Sequence, residues 1–274
     1  MTAALLGLLA ALTNGAQALI NKDLTGRWPA RQLIGILYLL NCAVLLPFAP
    51  FVTWHWTPAV VILHLVSVAL MAITAVCVWD MFDRGAASST TTASALSPIP
   101  TAIGAALLIP STFHPLQLVA SVIVVTGVLW ALQGAFADMG RRGTVGRVLG
   151  ASVGNGLLTV LTRMLGDEGV GVVETYVVRT ALAAALMMAL IPPRDIPLSA
   201  TPRLFFRSVL VTLSFVFIIV GAQSGSPLVV QTLVATTPLF VLAFESMRAR
   251  ALPPPRAIAA AGLVIVGVLV VLAV

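Results

Sequence analysis

Long apolar runs alternate with short polar joints along almost the whole chain, and within a run the residues do not switch between apolar and polar at every second position. A continuous run of roughly 20 residues is the length of a helix crossing a hydrocarbon core about 30 Å thick, whereas a barrel strand would alternate. About ten such spans are predicted. In order they cover Thr2–Ile20, Ala30–Phe48, Pro58–Trp79, Gly85–Ile109, Pro115–Phe136, Val148–Leu165, Val170–Ile191, Arg203–Ala222, Pro227–Met247 and Ala257–Val274. The pattern predicts an all-α integral membrane protein.

The spans repeat. Gly85–Pro100 (GAASSTTTASALSPIP) has its counterpart in Gly225–Phe240 (GSPLVVQTLVATTPLF), with Ala95 falling on Ala235, Ser97 on Thr237 and Pro98 on Pro238. Asn14-Gly15 returns as Asn155-Gly156, Thr57-Pro58 as Thr201-Pro202, and Gly127-Val128 as Gly267-Val268. The chain therefore divides into two five-span units, residues 1–140 and 141–274, integrated into one membrane domain. An odd number of crossings inverts the second unit relative to the first. Proline-broken helices at corresponding places in two inverted halves mark the substrate site of a secondary transporter, since freed backbone groups must meet protein or line a cavity.

Composition agrees with a lipid solvent: 59% of the 274 residues are hydrophobic and 9% charged. The net charge of +6 does not imply a nucleic-acid partner, because the arginines are scattered over many joints and form no face. They read as topology signals. Nearly all lie in the joints after odd-numbered spans, Arg207 among them, and only Arg163 lies opposite. By the positive-inside rule both termini face outward. A plasma membrane, the bacterial inner membrane, is the expected setting. Cys42 and Cys77 lie inside spans, and His55, His64 and His114 lack metal-ligand spacing, so no metal or other cofactor is expected.

The quoted repeats, together with Arg179 in span seven and Glu245 after Pro238, resemble the drug/metabolite transporter superfamily, specifically its EamA-type members with two five-helix repeats. The resemblance covers the whole chain. It implies movement of a small metabolite or drug-like solute by alternating access, without ATP hydrolysis, and it leaves the substrate open. Two features depart from it. Ala105 stands where the second half has Glu245, and the charges argue against the cytoplasmic termini often ascribed to the family.

Arg179 lies near the middle of its span, where a charge costs about 2.5–3.5 kcal/mol on insertion scales and normally faces a cavity or a partner. A structural ion pair with Glu174 is the alternative, although five residues separate the two on the helix. The expected cavity lies between spans four and nine, completed by spans one, six and seven. Its candidate lining is Asn14, Tyr38, Thr91, Ser94, Pro98, Asn155, Arg179, Gln231, Thr237 and Pro238, with Arg179 as its one fixed positive charge, which favours an anionic or zwitterionic substrate. Glu174 and Glu245 are candidates for coupling to a proton or ion gradient. Two other classes are weighed. Asp80-Met81-Phe82-Asp83 could hold Mg²⁺ in an intramembrane prenyltransferase-like enzyme, but no matching second acidic motif lies on the same side. A non-transporting scaffold would need neither Arg179 nor paired broken helices.

Overall fold

A computed structural model of the chain describes residues 2–273 except 86, 88–89, 92–94, 132–140, 251 and 254. Among the described residues the first half contains α1 (Thr2–Thr25), α2 (Ala30–Leu45), α3 (Pro58–Arg84), α4 (Pro98–Leu108) and α5 (Pro115–Ala131). The second half contains α6 (Arg141–Asp167), α7 (Val172–Leu190), α8 (Thr201–Ser224), α9 (Pro227–Val234), α10 (Thr237–Ala249) and α11 (Pro255–Ala273). There is no strand among the described residues. Among the described residues seven helical stretches are long and apolar enough to cross a membrane, and α4, α5 and α11 are shorter apolar helices.

Proline sets most of the boundaries. It sits in the first turn of α3, α4, α8, α9 and α10, where its missing N–H leaves nothing unpaired. Thr57 adds a cap, its hydroxyl oxygen accepting the Val60 N–H at 3.2 Å. Between Arg141 and Val148 no proline intervenes, and the helix expected to begin at Val148 starts at Arg141 instead. Part of the basic joint is thus helical.

Both expected breaks are present. In the second half α9 ends at Val234, Ala235 and Thr236 form the turn, and α10 resumes at Thr237. In the first half the backbone is helical at Thr90 and Thr91, turns through Ala95–Ser97 and resumes as α4. Pro98 and Pro238 therefore open new helices and do not kink continuous ones. The Val234 carbonyl, deprived of its donor by Pro238, is taken by the Thr237 hydroxyl at 2.6 Å. The freed carbonyl meets protein and is not offered to the cavity.

Packing joins the halves reciprocally. α1 packs on α8 as α6 packs on α3, α1 on α10 as α6 on α4, and α2 on α8 as α7 on α3. Two of the repeated helices also meet their own counterparts, α2 with α7 and α5 with α11. At the α5–α11 crossing a Cβ on Gly127 would stand 2.7 Å from Val264 Cγ2 and 3.2 Å from the Ala260 carbonyl oxygen. A Cβ on Gly267 would meet Val124 Cγ2 at 2.7 Å and the Ala120 carbonyl oxygen at 3.1 Å. These are the same contacts with the halves exchanged. As residue numbers rise along α5 they fall along α11, so the counterparts run antiparallel, which is what an inverted repeat requires. Only glycine admits so close an approach of backbones.

Two buried clusters frame the interior. Leu24, Leu33, Ile34, Leu37, Trp79, Met187 and Leu204 join α1, α2, α3, α7 and α8. Ala95 and Ala235, one at each helix break, pack against Val124, Val128, Ala260 and Val264 of the α5–α11 pair. That pair is the wall against which both breaks rest.

Candidate functional site

Inside the ring of helices lies a cavity of about 190 Å³. Its walls come from α1, α2, α3, the Thr90–Thr91 segment, α6, α7, α8, α9 and the first residue of α10. The outline expected from the sequence, spans one, four, six, seven and nine, omits three and eight and takes only Tyr38 from two, and these three spans contribute a large part of the wall. α5 and α11 supply no lining residue among the described ones.

Seven of the predicted lining residues meet here: Asn14, Tyr38, Thr91, Asn155, Arg179, Gln231 and Thr237. Pro98 and Pro238 do not line the cavity; each sits in the first turn of the helix after the break, and of the residues before them Thr237 lines it and Ser97 does not. Ser94 lies outside the described residues, as do Ser88, Ser89 and Thr92 of the same hydroxyl run. Thr91 donates to the Ala87 carbonyl at 3.1 Å, the ordinary helical use of a threonine hydroxyl. Tyr38 donates to the Met71 carbonyl at 3.1 Å. Asn14 Oδ1 accepts from Ser214 Oγ at 2.8 Å, and Gln231 Oε1 accepts from Thr159 Oγ1 at 2.8 Å.

Arg179 is 5% exposed. It does not pair with Glu174. Its Nη1 donates to Thr162 Oγ1 at 2.7 Å, and its Nε and Nη2 are buried without a partner among the described residues. Glu174, fully buried one turn earlier, accepts from the His55 backbone N–H at 2.7 Å and faces His55 Nδ1 at 3.1 Å. It anchors the loop before α3 and does not reach the cavity. Helical geometry explains the separation, since residues five apart point to different faces. Glu245, half-exposed on α10, does not line the cavity either.

A second arginine, Arg207, enters the cavity at 6% exposure. Its Nε donates to Asn21 Oδ1 at 2.9 Å and its guanidinium carbon stands 5.5 Å from the centre of the Trp79 ring. Arg179 is therefore not the only fixed cation. In the sequence Arg207 falls in with the topology arginines because Arg203 lies four residues before it. The signal that separates them is position: Thr201-Pro202 starts α8, and Arg207 is well over a turn inside the helix. No Asp or Glu lines the cavity among the described residues. Two buried guanidiniums with no lining acid among the described residues give the chamber a positive wall.

Asp80, weighed with Asp83 as a metal-binding pair, is held by arginines. It is buried and both its oxygens are taken, Oδ1 by Arg31 Nε at 2.8 Å and Oδ2 by Arg31 Nη2 at 2.7 Å, with Arg147 Nε at 3.4 Å from Oδ2. Asp83 is exposed, so the two carboxylates diverge. Among the described residues no group of three His, Cys, Asp or Glu could hold a metal ion.

The comparisons with known proteins agree with this architecture. The model of the EamA-like transporter family matches twice, over residues 1–133 and 145–273. The chain belongs to the EamA-like transporter family. Each match covers one of the two halves that the reciprocal packing relates, and the family lies within the drug/metabolite transporter superfamily. As an EamA-family chain with several apolar spans, it is a multi-pass membrane protein. Twenty-seven solved chains match its fold. One crystal structure superposes with a TM-score of 0.78 at 19% identity, covering 98% of this chain and 95% of its own. A search of curated proteins found no significant match.

Proposed function

We propose that this EamA-family protein is a secondary transporter that moves a small anionic or zwitterionic solute by alternating access through the central cavity. The supporting observation is the acid-free lining around two buried arginines, Arg179 and Arg207. The inverted repeat supports the mechanism, because rocking two symmetry-related halves around a fixed site exposes it to one side at a time. The sequence has no Gly-rich phosphate loop, which favours an ion or solute gradient over ATP as the driving force. In this reading both termini face away from the cytoplasm, as the one-sided arginines require.

A thermal-unfolding screen of purified protein tests the charge of the solute, because a ligand of the native state raises apparent stability. Small organic anions and zwitterions are expected to raise the midpoint while organic cations of equal size do not; stabilisation by cations alone overturns the proposal. Cysteines placed at Asn14, Asn155 and Thr237, with Cys42 and Cys77 replaced by alanine, test the route. They are expected to react with a water-soluble thiol reagent and to be protected by any solute found in the screen.

A further inference from the structure

We infer that Arg179 is a carboxylate socket and Thr162 its positioning residue, so that the solute carries a carboxylate and not a phosphate-like group. The inference rests on the anionic reading above and narrows it.

The protein contains its own template for the socket. Arg31 grips Asp80 with one edge of its guanidinium, Nε and Nη2 lying 2.8 and 2.7 Å from the two carboxylate oxygens. Two parallel charge-assisted bonds of this kind match a planar carboxylate in both spacing and direction. The corresponding edge of Arg179, again Nε and Nη2, is buried and has no partner among the described residues. A buried donor without an acceptor costs on the order of 1–3 kcal/mol, and more when charged, so two on one guanidinium mark a site for a missing group.

The acids of α6 and α7, the helices that carry Thr162 and Arg179, are engaged elsewhere. Glu174 is held by His55, and Asp167 lies 3.0 Å from Arg163. The ligand must bring its own carboxylate.

Thr162 sets the direction of the edge. Its hydroxyl donates to the Leu158 carbonyl at 2.7 Å, which commits the proton and leaves a lone pair for Arg179 Nη1 at 2.7 Å. The chain from Nη1 through Oγ1 to the carbonyl pins one side of the guanidinium and keeps the opposite edge available. Both edge atoms are covered in this conformation, so docking includes a small opening of the cavity wall.

The remaining chemistry of the wall favours a monoanion. Gln17 and Asn41 line the same cavity as neutral amides, and their Oε1 and Oδ1 are buried without donors among the described residues. A carboxylate keeps both of its oxygens on the Arg179 edge, whereas a dianionic tetrahedral group brings a third oxygen and a second charge that the edge does not serve.

The test uses the purified full-length protein and three matched sets of probes: acetate, benzoate and hexanoate; their amides; and methyl-, phenyl- and hexylphosphonate. Binding is read by titration calorimetry, with size exclusion and thermal unfolding reporting on the fold. At least one carboxylate is expected to bind while its amide and phosphonate do not. Arg179→Lys, which keeps the charge and loses the fork, is expected to weaken that carboxylate about 10- to 100-fold. If that variant does not fold, Thr162 decides. Thr162→Val keeps Arg179 and is expected to lose affinity, and Thr162→Ser to restore it. A purely structural threonine would show no such rescue of binding at unchanged thermal stability.

Undiminished carboxylate binding in folded Arg179→Lys, or in Thr162→Val, overturns the socket while leaving the anionic reading intact. Phosphonates binding as tightly as carboxylates overturn the assigned class alone. Binding of no anionic probe by the wild-type protein overturns the socket, and if organic cations bind in their place the anionic reading falls with it.

Discussion

The α5–α11 pair and the central cavity follow the repeat to different degrees. At the pair, Gly127 meets Val264 and Ala260 as Gly267 meets Val124 and Ala120, and each half supplies the same residues. At the cavity, both arginines come from the second half. Aligning the helix starts Thr57-Pro58 and Thr201-Pro202 puts Leu63 where the second half has Arg207. Packing in lipid rests on close contact of small residues, and a contact between two copies of one element is satisfied most simply when both copies keep the same side chain. Charge has no such requirement. One solute in a single cavity needs its cations placed once, and a full second set would add the cost of burying more guanidiniums without partners. Symmetry is thus kept in the wall and lost in the site.

The largest expected effect lies in the wall. Leucine at Gly127 or at Gly267 forces apart backbones already in contact, and overpacking of this kind costs about 1–3 kcal/mol, occasionally more. Because the contacts are reciprocal, Gly127→Leu and Gly267→Leu are expected to lower the thermal midpoint in detergent by similar amounts. A large loss from one and none from the other would break the symmetry argument at its strongest point.

Fold and site are legible in the sequence to different extents for the same reason. The repeat shows in Pro98/Pro238, Asn14/Asn155 and Gly127/Gly267 because proline, asparagine and glycine do backbone or interhelical work that few other residues can replace. Those positions reveal the two halves and both breaks. The cavity wall is only partly readable, since lining is decided by rotation of whole helices. Tyr38 and Asn155 can be picked out as polar groups in apolar spans. Asn21, Thr74 and Thr162 cannot be told from residues that satisfy their own helix. The link between Glu174 and His55 is invisible because it joins residues 119 apart. Arg207 is hidden by its neighbours: near a span end an arginine looks the same whether it faces headgroups or turns inward.

Arg207→Gln sharpens the other side of the comparison. Arg207 sits in the cavity, yet its Nε is already used by Asn21, so it is expected to act on the solute mainly through its field. A charge at a distance in a partly screened interior contributes on the order of 1 kcal/mol, so affinity for any anion should fall about tenfold or less. Stability should hold or rise, because the substitution removes a buried charge that has no carboxylate partner among the described residues. Titration calorimetry and thermal unfolding on the same sample check both halves of the expectation. Marked destabilisation with unchanged anion affinity would make Arg207 a structural cation, held by Asn21 and the Trp79 ring.

The smallest expected effect falls where the wall meets the cavity, at the two residues before the breaking prolines. Ser97 and Thr237 occupy equivalent positions, and both are buried. Their hydroxyls are used differently. Thr237 Oγ1 donates to the Val234 carbonyl at 2.6 Å, the group that Pro238 deprives of its donor. Ser97 Oγ has no partner among the described residues. Thr237→Val removes the hydroxyl at nearly constant shape and leaves that carbonyl unpaired beside the cavity. A polar contact of this kind within a helical bundle is worth about 1 kcal/mol, so the thermal midpoint should fall slightly. Ser97→Ala removes a hydroxyl with nothing to lose and should leave the midpoint unchanged. The pair therefore separates position from chemistry: if equivalence in the repeat governs the energetics, the two substitutions cost the same, and if the bond governs, only Thr237→Val does. The geometry favours the second outcome. Equal losses from both would mean that the Ser97 hydroxyl serves the first break as the Thr237 hydroxyl serves the second, and that symmetry reaches further into the site than the two arginines suggest.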